Sequence, residues 1–200
     1  MSKTYAWSLG LCLALNVGCG GPTLNAGDEG AGAETAEGKL IFRTSERYAA
    51  DLGGLEGADQ KCQELAEAAG RTGEFKAWLS TIDTAAWDRL THADQPYVLS
   101  TGVVVARNWL DLTSGTLRHE VDQAELAELP PANGVNSCNP TVFWSGTDER
   151  GAQFGPDCEG WTRTGLDLRG GLGVTGTDGN WSTFCYGNCD SIAPLMCLEQ

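Results

Sequence analysis

Large apolar side chains are nearly missing between Gly20 and Gly38, and from Lys39 onward they return in short, closely spaced runs. Lys39-Leu40-Ile41-Phe42-Arg43-Thr44-Ser45 has the apolar and β-branched character of a short strand. After it, Ala58, Cys62, Leu65, Ala66 and Ala69 recur at helical spacing, which predicts one helix over 57–70 with Cys62 facing the core and Gly70 as its stop. Phe75 to Ser80 alternates well enough for a strand, and Asp83 to Leu90 reads as a short helix that carries Trp87 inward. Tyr97 to Ala106 predicts a β-hairpin turning at Thr101-Gly102, with Trp109 and Leu112 just beyond it. Polar, proline-bearing sequence follows as far as Pro140. The remaining apolar runs, Val142-Phe143-Trp144, Trp161-Thr162 and Pro194-Leu195-Met196-Cys197-Leu198, are separated by glycine-rich stretches and read as strands under long loops. There is no internal repeat.

The residues from 20 to 38 are mostly Gly, Ala, Thr and acidic side chains, which cannot bury enough surface to offset the entropy of ordering, so a flexible tether is expected there. Ahead of it, Lys3 precedes the mostly apolar run Ala6 to Val17, too short to cross a bilayer as a helix, and this reads as an export signal. The run ends in Leu15-Asn16-Val17-Gly18-Cys19, which resembles the lipobox of bacterial lipoproteins and would make Cys19 the acylated first residue. Asn16 departs from that pattern, since an aliphatic residue usually stands three before the cysteine. Acyl chains at roughly 0.8 kcal/mol per buried methylene would hold the protein to a membrane without spanning it. Gly20 stands where an aspartate commonly retains lipoproteins at the inner membrane, which favours the outer membrane or cell surface. The expected division is 1–19 signal, 20–38 tether and 39–200 a single domain.

Charge and cysteine content narrow the classes. With 27 Asp plus Glu against 13 Lys plus Arg, the net charge of -14 repels phosphate backbones and anionic headgroups, so nucleic-acid binding is disfavoured. Setting aside Cys12 in the signal and Cys19 leaves six cysteines: Cys62, Cys138, Cys158, Cys185, Cys189 and Cys197. In an exported chain an even number reads as three disulfides, and six cysteines allow fifteen connectivities. Zinc is disfavoured by the lack of any C-x-x-C pair and by the presence of only two histidines, His92 and His119.

Several segments taken in order resemble a known family. Leu52-Gly53-Gly54-Leu55-Glu56-Gly57-Ala58-Asp59-Gln60-Lys61-Cys62-Gln63, Gly73-Glu74-Phe75-Lys76-Ala77-Trp78-Leu79-Ser80 and Arg89-Leu90-Thr91-His92 are followed by Trp144-Ser145-Gly146-Thr147, Cys158-Glu159-Gly160-Trp161-Thr162 and Met196-Cys197-Leu198-Glu199-Gln200. Together they resemble a domain-of-unknown-function family of spirochaete and myxobacterial lipoproteins, over nearly everything from Lys39 to Gln200. The resemblance implies an α+β fold of the C-type lectin-like or endostatin-like kind: short helices, small antiparallel sheets and long disulfide-tied loops. It implies the pairs Cys62 with Cys197 and Cys158 with Cys189, leaving Cys138 with Cys185.

In such lectins a Trp-Asn-Asp motif and calcium hold the sugar. Here Asn180-Trp181-Ser182 occupies that place, and Ser182 and Thr183 stand where the calcium-binding Asn and Asp would be. Asp157, Asp167, Asp178 and Asn180 could still offer oxygens to calcium, but a structural loop without metal or other cofactor is the favoured reading. Trp78, Trp109, Trp144 and Trp161 lie in strand-like or hairpin contexts and are expected in the core, whereas Trp181, with Asp178 and Asn180 beside it, is the best surface candidate for contact with a ligand. No catalytic constellation stands out: there is no G-x-S-x-G elbow, and His92 reads as a structural histidine. The expectation is a membrane-anchored binding or adhesion module for an extracellular glycan or protein, calcium-independent and not an enzyme. The alternatives are a structural envelope lipoprotein without a soluble ligand and, third, an uncharacterised hydrolase.

Overall fold

The computed structural model describes residues 33–127, 138 and 141–200, so the signal, Cys19 and most of the tether lie outside the described residues. The chain forms two small sheets and few, mostly very short, helices, a mixed α+β architecture tied by disulfides. Strand β1 (Lys39–Arg43) is followed by helix α1 (Gly54–Ala68), strand β2 (Phe75–Ala77), the single helical turn α2 (Ala86–Arg89), strands β3 (Tyr97–Val98) and β4 (Val104–Ala106), and the turn α3 (Trp109–Leu112). Then come β5 (Val142–Trp144), the turn α4 (Cys158–Trp161), β6 (Arg169–Val174), β7 (Cys185–Asn188) and β8 (Met196–Glu199). The first sheet runs β2-β8-β1-β3-β4 and the second β5-β6-β7. The pairing of β1 with β3 is parallel, so the first sheet is mixed and not wholly antiparallel as expected.

Strand β8 lies between β1 and β2, with Phe42 opposite Cys197 and Cys197 opposite Ala77. Both faces of this sheet are covered, which explains why its strands read as unbroken apolar runs instead of alternating ones. Leu40, Phe42, Phe75, Ala77 and Cys197 point into the half of the core that holds Ala58, Cys62 and Ala66 of α1, while Ile41, Trp78, Met196 and Leu198 point into the other half with Trp109 and Trp181.

Helix α1 starts at Gly54, three residues before the predicted position, with Gly53 and Gly54 at φ 87° and 76°. It ends as the pattern requires: Gly70 takes φ 72°, its N–H bonds the Glu67 carbonyl and that of Arg71 bonds Ala66, a Schellman closure. The helix also shields the open edge of β2. The Phe75 N–H donates to Gln63 Oε1 at 2.8 Å and the Ala77 N–H to Asp59 Oδ1 at 2.9 Å. Arg89 pairs with Asp59 and donates to the Ala77 carbonyl at 2.7 Å. Bare edges invite pairing with other chains, and here side chains take up the bonds that a neighbouring strand would make. The other edge, β4, is covered by residues at the end of the expected tether: Val104 N–H bonds Glu34 O, Ala36 N–H bonds Gly102 O, and Arg107 pairs with Glu34 at 3.0 Å. Residues 34–36 are thus part of the domain.

Two local expectations are corrected. Helix α2 begins at Ala86, whose N–H is held by Ser80 Oγ at 2.8 Å; Ala86 therefore faces inward and Trp87 is 39% exposed. Trp161 belongs to α4 and not to a strand. That turn carries Cys158, Glu159 and Trp161 at φ 52°, 56° and 63°, a backbone region costly for residues with a Cβ. It persists because it is held from several sides: Cys158 is bonded to Cys189, Asp157 Oδ1 accepts the Gly160 N–H at 3.1 Å, and the buried Trp161 indole donates to Ser80 O at 2.7 Å. The other two disulfides join Cys62 to Cys197 and Cys138 to Cys185, so the three pairs are those the resemblance implies. Among the described residues no helix is long and apolar enough to cross a membrane. Three disulfides point to an oxidising, extracytoplasmic compartment.

Candidate functional site

Beneath the long loops lies a buried hydroxyl network that fixes their path. Ser182 Oγ accepts from the Trp78 indole N–H at 2.7 Å and donates to Thr147 O at 2.6 Å. Ser80 Oγ and Thr147 Oγ1 are 2.8 Å apart, and Thr147 Oγ1 donates to Ser145 O at 2.9 Å. All five residues are buried, so each bond forms in a medium where an unmet polar group would be expensive. Gly146 sits among them at φ 55°, and a Cβ there would fall 2.7 Å from the Trp161 ring. The segment Trp144-Ser145-Gly146-Thr147 therefore serves packing.

The residues chosen from sequence are separated by this arrangement. Asp178 and Asn180 are exposed on one turn, where the Asp178 carboxylate accepts the Asn180 N–H at 3.0 Å and lies 3.4 Å from its Nδ2. Trp181 does not join them at the surface. Its N–H bonds Asp178 O and its carbonyl accepts from Val174, which turns the side chain inward to 1% exposure, with its ring 5.2 Å from that of Trp78. Its face is closed to any ligand, which corrects the expectation. Trp78, Trp109, Trp144 and Trp161 are buried.

Of the carboxylates considered for calcium, Asp157 is engaged with the backbone N–H groups of Ile82 at 2.9 Å and Gly160 at 3.1 Å, and Asp167 is exposed. Among the described residues no three His, Cys, Asp or Glu side chains gather as a metal site. His92 stacks on Trp109 at 4.3 Å and its Nε2 bonds Trp87 O at 2.8 Å; His119 Nδ1 bonds the carbonyl of Glu120 at 2.8 Å.

What the sequence reading passed over is an aromatic patch on the long-loop face. Phe154, Phe184 and Tyr186 are 44%, 45% and 45% exposed, and all three border a crevice, too narrow to admit a water molecule, with Thr183, Gly146 and Gly171. The Phe154 and Tyr186 rings lie 6.1 Å apart and only 23° from parallel. The Tyr186 ring rests over Gly155, where a Cβ would come within 2.5 Å of it. Among the described residues no charged side chain borders the crevice. The signal was present: Phe184 and Tyr186 flank Cys185 at i and i+2, the same side of the chain as it enters strand β7, which is paired to β6 along its length. Attention to tryptophan alone hides it.

Two comparisons with known proteins were negative: no family model matches the chain, and no curated protein matches it.

Proposed function

We propose that this chain is an exported lipoprotein, anchored through Cys19 to the outer membrane or cell surface, and that its domain is a C-type lectin-like binding module. The disulfide frame supports the fold reading, with α1 tied to the last strand by Cys62–Cys197 and the long loop closed by Cys158–Cys189. One observation carries the functional reading: three half-exposed aromatic rings from two separate segments gather in one exposed patch. Soluble proteins seldom gather large apolar side chains at the surface without a partner for them. Rings with a polar handle, as in Tyr186, suit either the face of a sugar or an apolar protein anchor. The ligand is an extracellular glycan or protein, and its capture needs no calcium.

A glycan array and a pull-down from native envelopes, each run with and without chelator, test this. Wild-type protein should retain a ligand in both conditions, and the double change Phe154→Ala with Tyr186→Ala should lose it while the melting temperature holds. Retention of ligand by the double variant, or loss on chelation, would remove the patch from consideration. If neither assay yields a ligand for the wild type, the alternative of a structural envelope lipoprotein takes its place.

A further inference from the structure

We infer that Asn180 is an acceptor for an N-linked glycan and that the glycan is attached before this domain closes. Asn-x-Ser/Thr with any residue but proline at the centre is the acceptor pattern of exported proteins. Among the asparagines of this chain only Asn180 meets it, in Asn180-Trp181-Ser182; Asn139-Pro140-Thr141 has proline in the middle. The three disulfides point to an oxidising, extracytoplasmic compartment, on the side of the membrane where exported acceptors are modified. In the folded domain Asn180 stands exposed at a turn, with its amide nitrogen bonded only to Asp178 at 3.4 Å, so an attached chain of sugars would project into solvent without disturbing the core.

The order of events follows from the neighbours of Asn180. In the reaction the amide nitrogen of Asn180 bonds the anomeric carbon of a sugar, the bond from that carbon to the diphosphate of a lipid carrier breaks, and the amide proton passes to a base on the transferase. The transferase reads the hydroxyl two residues on. Here that hydroxyl belongs to Ser182, buried, already accepting from Trp78 at 2.7 Å and donating to Thr147 O at 2.6 Å. Trp181 between them is packed against Trp78. Asn180 also lies inside the loops closed by Cys138–Cys185 and Cys158–Cys189, so the segment cannot peel away once those bonds form. An enzyme can engage the acceptor only while the chain is open.

Peptide mapping of the protein purified from its native envelope tests the assignment. The peptide bearing Asn180 should carry sugar masses that disappear in Asn180→Gln, and an unmodified Asn180 in the native protein overturns the proposal. The timing is tested on the full chain made in a host without the transferase, offered an oligosaccharyltransferase and a lipid-diphosphate oligosaccharide. Transfer to the reduced chain with loss of transfer to the oxidised chain is expected. Equal labelling of the two refutes the order, and no labelling of either refutes the acceptor itself.

Discussion

At the scale of single residues, Ser182 and Trp181 show how a stretch that reads as a ligand motif is used for packing. Ser182→Ala would leave the Trp78 indole N–H without its acceptor and Thr147 O without one of its donors, at a cost of roughly 1–3 kcal/mol. Trp181→Ala would empty a fully buried site and cost roughly 3–5 kcal/mol. Urea unfolding should record both losses. Asp111 gives a prediction in pH. Burial pushes its carboxyl upward, but hydrogen bonds from the Arg118 side chain and the Arg107 backbone outweigh this and leave it below its ordinary 3.8. A depressed carboxyl stabilises the folded state above the unfolded value, and that contribution is lost as pH falls through the folded value. The difference in melting temperature between wild type and Asp111→Asn should therefore be constant near neutrality and close only below pH 3.8.

At the scale of elements, α1 acts as a strand substitute for the edge of β2. Asp59→Ala would release the Ala77 N–H and leave Arg89 without its carboxylate partner, so the Ala77 amide should exchange with deuterium faster than the paired amides of β8 beside it, with a loss of about 1–3 kcal/mol. Elements of this kind differ in how far they can be read in advance. β1, α1, the hairpin of β3 and β4, and β8 were legible because each is written in a local period or a glycine at a turn, such as Gly102 at φ 83°. α4 was not, because Cys158, Glu159 and Trp161 take left-handed angles that no local preference favours and that distant bonds enforce. The inward face of α2 was misread by one residue, since Ser80 and not the apolar spacing sets where the turn begins. At the candidate site, Asp178 and Asn180 lie at the surface, as polar residues in a glycine-bearing turn do, yet Trp181 between turn and core could not be oriented from its neighbours alone. The patch of Phe154, Phe184 and Tyr186 needs the fold to bring residue 154 beside β7.

For the molecule as a whole, the disulfides join segments that are far apart in sequence. Cys62 and Cys197 are separated by 135 residues, and in the chain-entropy model a closure of that length stabilises by about 5 kcal/mol. Replacing both by alanine should lower the urea midpoint far more than the loss of a surface ion pair, and an unchanged midpoint would mean that the sheet holds without its clasp. The position of β8 has a further consequence. It is the last of the described strands in chain order, yet it lies inside the sheet, flanked by β1 on one side and β2 on the other. While the chain is still emerging, those two early strands face an empty slot and have no direct contact to lock them. The strands that need no help from β8, β1 with β3 and β4, and β5 with β6 and β7, can pair early, but β2 gains its place in the first sheet only when residues 196–199 arrive to bridge it to β1.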